Sequence, residues 1–255
     1  MKINGYNMND LVFHVFKNFE KYTKAGIDES TRDFENAFFS GSQDNILISL
    51  GENCGPGVKL REASKDIFGS FFFDNIVCPV DSINKLFECD FTGLFDLRYL
   101  TIGTWEGHDS VYNTKYGIYF HHYFHLRGAE NEKSRFLNGN RIRQIDEEDI
   151  PLFLPQVQSQ FEYLLNKLRI TLLSPQKKTF IFRKVNGSPL RRVAFDNLYE
   201  SIKRWGANNF NILVVYSSDG DVNSNEFYED KHILIPEVGV RWGEKELWES
   251  FLSSL

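Results

Sequence analysis

Cysteine and methionine are scarce in this chain: three Cys (54, 78 and 89) and two Met among 255 residues. An odd number of cysteines with no paired spacing argues against a disulfide framework. Free thiols instead predict a reducing compartment, and so a cytoplasmic protein. An excess of positive charge is missing too. The formal net charge of −6 offers no basic face to nucleic acid and disfavours an anionic membrane surface. No stretch approaches the ~18 consecutive apolar residues of a membrane span, so no membrane insertion is expected. The opening MKINGYNMNDLVFHVF shows no apolar signal region. Repeats, low-complexity tracts and linker-like shifts in composition are absent as well, which leaves a single domain over 1–255.

What the chain does have is aromatic mass, with 24 Phe and 11 Tyr, enough for a Phe-rich core. Leu11, Val12, Val15, Phe16 and Phe19 fall on one helical stripe, so 1–44 is expected to form an N-terminal helical extension. ILISLG (46–51) reads as a buried strand, followed by a helix over 57–67. FFFDNIVC (71–78) reads as a strand and 81–91 as a helix. LRYLTIG (97–103) and TKYGIYFHHYF (114–124) read as two strands on either side of a turn-rich EGHDS, and 127–150 as polar connection. From 155 onward the pattern alternates: helix 155–173, strand 179–185, helix 195–205, strand 211–218, strand 232–238 and helix 244–255. Short apolar strands alternating with amphipathic helices predict an α/β fold, a three-layer sandwich with a mostly parallel sheet covered on both faces.

The stretch ILISLGENCGPG (46–57) ends a strand in Glu52-Asn53-Cys54 and opens a helix behind Gly-Pro-Gly. In a parallel sheet, ligands bind at the carboxyl ends of strands, where free N–H groups and the positive end of a helix dipole face the site. Both lower a thiol's pKa and can hold an oxyanion, to which the Asn53 side chain would add a donor. Cys54 is therefore the candidate nucleophile. The loop lacks both a Gly-Lys-Ser/Thr ending and G-x-G-x-x-G, so a phosphate cradle is the weaker reading. Cys78 and Cys89 lie in hydrophobic segments and read as packing residues.

Histidines supply two candidate bases. His121, His122 and His125 crowd into five residues; on a strand, His122 and Phe124 would share one face and His121 and Tyr123 the other. A neutral imidazole beside a cysteine gives the thiolate–imidazolium pair. Three histidines also raise zinc, but only His121 and His125 share a face and no carboxylate completes a ligand set, so no metal or cofactor is expected. His232 opens the last strand after Glu229 and Asp230, either of which would orient it as a base.

Taken in order, these residues resemble a bacterial family of papain-like cysteine peptidases. The correspondence runs over roughly 45–220: Leu50-Gly51-Glu52-Asn53-Cys54, then Phe73-Asp74-Asn75, Leu86 through Asp90-Phe91, Tyr116-Gly117 with His122-Tyr123-Phe124, and Phe180-Ile181-Phe182-Arg183. The resemblance implies Cys54 as nucleophile and His122 as base, acting on a peptide, amide or acyl-bearing substrate through a thioester. Asn75 stands where the family has tryptophan. Tyr123 stands where it has an acid, so the orienting carboxylate falls to Asp74. The turn is also similar to the nucleophile turn of SGNH-type hydrolases, with Cys for Ser, which would imply an acyltransferase or hydrolase of surface polysaccharide using His232. A non-catalytic binding domain that kept the pocket is the remaining alternative.

Overall fold

The computed structural model describes residues 2–3, 6–7, 45–63, 70–124, 136–137, 140–141, 147–184, 191–216 and 233–234. The stripe at 11–19, His125, His232 and the helix expected at 244–255 lie outside them. Two short antiparallel pairs, β1 (Lys2–Ile3) with β2 (Tyr6–Asn7) and β7 (Phe136–Leu137) with β8 (Asn140–Arg141), stand apart from the larger sheets.

The centre is a four-stranded parallel sheet ordered β11-β10-β9-β3, from β3 (Asn45–Ser49), β9 (Lys177–Lys184), β10 (Phe210–Tyr216) and β11 (Ile233–Leu234). Pleating sends alternate side chains to opposite faces. Phe180 and Phe182 point into the aromatic core, while Thr179 and Ile181 are equally buried on the reverse; β10 repeats this with Ile212 and Val214 against Leu213 and Val215. Both faces of the sheet are therefore covered, which is why these strands read as continuous apolar runs.

Among the described residues, four α-helices accompany the strands: α1 (Gly55–Ala63), α2 (Val80–Glu88), α3 (Ile150–Leu173) and α4 (Arg192–Arg204). Their buried stripes match the expected spacing: Ile83, Leu86 and Phe87 on α2; Val157, Phe161, Leu164 and Leu168 on α3; Phe195, Leu198 and Ile202 on α4. Edge-on rings knit the core together, with Phe72 at 4.9 Å from Phe91 and 5.1 Å from Phe161, centroid to centroid. Among the described residues, no helix is long and apolar enough to cross a membrane.

A separate three-stranded antiparallel sheet, β4 (Leu100–Trp105), β5 (His108–Asn113) and β6 (Ile118–Tyr119), adds to this. It corrects three expectations. EGHDS is mostly strand: the turn is only Glu106-Gly107, both at positive φ (48° and 78°), the conformation a two-residue hairpin loop needs. The segment 114–124 is strand only at Ile118–Tyr119: Phe120 still donates its N–H to the Val111 carbonyl in the β5–β6 register, and the Tyr123 N–H then closes a turn on the Phe120 carbonyl. FFFDNIVC is not a strand either. Phe71, Phe72 and Phe73 are all buried, which alternation on a half-covered sheet would forbid. The Asp74 carboxylate closes them into a turn by accepting the Phe71 N–H at 2.9 Å, and only Val77 makes a bridge, to Tyr119.

Candidate active site

Cys54 stands where the sequence placed it, between the carboxyl end of β3 and the first residue of α1. Three local features build the turn. Gly51 takes φ +97°, open to glycine alone at low cost, and a Cβ there would sit 3.1 Å from the Cys78 carbonyl oxygen. The neighbouring strand fixes the path, since Leu50 N–H donates to Ile181 O (2.9 Å) and Arg183 N–H to Gly51 O (3.1 Å). Cys78 N–H donates to Glu52 O (3.1 Å) from the other side.

The helix then starts at Cys54, whose carbonyl accepts the first intrahelical bond, from Val58 N–H (3.2 Å). Asn53 Oδ1 accepts the Gly55 N–H at 3.0 Å, so its amide is committed to capping and its Nδ2 is the end that can donate. Pro56, which has no N–H to satisfy, suits the first turn of the helix. Cys54 itself is half-buried.

Asp74 lies directly behind this first turn. A Cβ on Gly57 would come within 2.7 Å of Asp74 Cβ and Cγ, so glycine is what lets the buried carboxylate press against the helix start. A carboxylate near a helix N-terminus is stabilised by the dipole. The structure thus packs Asp74 against the first turn of the helix that follows Asn53 and Cys54, with Asp74 engaged to the Phe71 N–H.

His122 lies on the turn after β6, exposed, with the half-buried His121 edge-on to it at 4.9 Å. The two rings touch rather than pointing to opposite faces, because the strand has already ended at Tyr119. This turn is tied to the cysteine turn through two backbone pairings: Tyr119 with Val77 (2.9 and 3.0 Å), and the adjacent Cys78 with Glu52. His125 and His232 lie outside the described residues, and among those described no three or more His, Cys, Asp or Glu gather as a metal site.

One residue beside the site, Arg183, stood in the family-like correspondence but was given no role from the sequence. Arg183, the last residue but one of β9, lies beside Gly51 and is half-buried. Burial pushes its guanidinium below the usual arginine range, against the opposing pull of Cys54, Glu106 and Glu52. A cation at the carboxyl end of an apolar strand was the available signal. The other two thiols fit their packing role: none of the three cysteines is in a disulfide, Cys89 caps α2, and burial pushes the Cys78 thiol well above its ordinary value.

Comparison of the chain with protein families, with curated proteins and with solved structures finds no match.

Proposed function

We propose that this protein is a cysteine-nucleophile hydrolase or acyltransferase acting on an amide, peptide or other acyl-bearing substrate through a thioester at Cys54. The observation that carries this reading is the position of Cys54 at the carboxyl edge of a parallel sheet and the start of a helix. In the proposed reaction the Cys54 thiolate attacks the acyl carbon and forms the C–S bond. The helix-end N–H groups and Asn53 Nδ2 hold the oxyanion. The amine or alcohol leaves with a proton from the His122 imidazolium, and a water or acceptor, deprotonated by the same imidazole, then cleaves the thioester. A reactive thiol of this kind needs a reducing compartment, which fits the cytoplasm.

A second reading has its own support. The parallel arrangement of β3, β9 and β10, with both faces buried, favours a three-layer α/β sandwich and an SGNH-like acyl hydrolase or acyltransferase. His232 would then be the base. The papain-like resemblance, by contrast, stands on its motifs alone.

Incubation with p-nitrophenyl acetate, with peptide mapping by mass spectrometry, tests the proposal. One acetyl group should appear on Cys54 and none on Cys78. His122→Ala should slow that acylation in the first reading, and His232→Ala in the second. Acetylation of Cys54 no faster than of Cys89 would overturn both.

A further inference from the structure

Arg183 is separated from Cys54 by 129 positions in the chain, yet the sheet places it next to the cysteine turn. Its backbone N–H holds the Gly51 carbonyl (3.1 Å), in the parallel register that sets Ser49 against Ile181. A half-buried guanidinium cannot lose its proton and is weakly screened, so its charge acts on whatever titrates beside it. Cys54, Glu106 and Glu52 are among the electrostatic partners of Arg183. Two of these are carboxylates, and they compete with the thiolate for one positive charge.

Resting on the reading of Cys54 as nucleophile, we propose that Arg183 is the positioning residue of the site: its guanidinium supplies the fixed positive charge that holds Cys54 as a thiolate. Glu52 and Glu106 set how much of that charge reaches the sulfur. Among the described side chains, the titratable groups on the surrounding elements include Asp74 behind α1, Lys59 within α1 and the His121–His122 turn. Asp74 opposes the thiolate and the helix N-terminus favours it. Arg183 decides the balance, because an opposite charge nearby moves a thiol by a unit or more, whereas a helix end alone is worth less.

The test is the pH dependence of iodoacetamide alkylation at Cys54 in the full chain. Wild type should show a midpoint below the ordinary thiol value of ~8.5. Arg183→Gln should raise it by about one unit and Arg183→Lys by less. Glu106→Gln, at an exposed hairpin turn where folding is safe, should lower it. An unchanged midpoint in folded Arg183→Gln, with wild type still low, overturns the role of Arg183 and leaves the nucleophile reading standing. If Arg183→Gln does not fold, an unchanged midpoint in Glu106→Gln overturns it instead. A wild-type midpoint at the ordinary value overturns both.

Discussion

Replacing Gly57 by alanine tests how the site is held up. Helix propensity alone predicts a gain of about 1 kcal/mol, because glycine is the poorest helix former after proline. The surroundings predict the reverse. The new Cβ would lie 2.7 Å from Asp74 Cβ and Cγ and 2.9 Å from Asp74 Cα, and a backbone-attached contact of that kind cannot be relieved by a rotamer change. Asp74 is only 3% exposed and is anchored by the Phe71 N–H, so the whole Phe72–Asn75 turn must move. Overpacking of this type costs ~1–3 kcal/mol, which exceeds the propensity gain over most of its range. Urea unfolding of Gly57→Ala should therefore show a net loss of about 1 kcal/mol and a midpoint shift without a change in slope. Cys54 alkylation should slow as well, since the helix start that supports the thiolate is displaced. A variant more stable than wild type by the full propensity gain would refute the close packing of Asp74 on α1.

Two further predictions concern the framework. Lys178 is fully buried, with Nζ donating to the Ser174 and Asn208 carbonyls, and burial lowers its pKa to about 8. Between about 8 and the ordinary lysine value the unfolded chain binds the extra proton, so this group's contribution to stability rises as pH increases through that window. The unfolding free energy from urea titration should rise more between pH 7 and pH 10 for wild type than for Lys178→Met, by up to about 3 kcal/mol. Asn113, fully buried, donates to Leu94 O (2.8 Å) and accepts from Tyr116 N–H (2.9 Å). Asn113→Ala strands both backbone groups and should cost about 2–4 kcal/mol by the same measurement.

The parts of the fold that were legible in the sequence are those whose signal is local and periodic. α3, β9, α4 and β10 each carry a full apolar stripe or run, and the structure moves only their ends: α3 begins at Ile150, with Pro155 tolerated in its second turn. The strand–turn–helix around Cys54 was legible because its glycines and Asn53 are local devices. Other parts were set by partners distant in sequence. Three consecutive phenylalanines suit a strand until Asp74 folds them into a turn. Glu106-Gly107 lacks the Asn-Gly or Asp-Gly signature of its hairpin class, so β5 was taken for loop. Arg183 belongs to the site only because β9 lies beside β3, a neighbour relation that no short window contains.

The central claim is that Cys54 is an activated nucleophile and the other two thiols are packing residues. Competitive iodoacetamide labelling of the folded protein near neutral pH, read peptide by peptide, tests it most directly. Cys54, half-buried at a helix start beside a cation, should label many-fold faster than half-buried Cys89. Cys78, 0% exposed with its thiol pushed well above the ordinary value, should label only on unfolding. Equal, slow labelling of Cys54 and Cys89 would contradict the account.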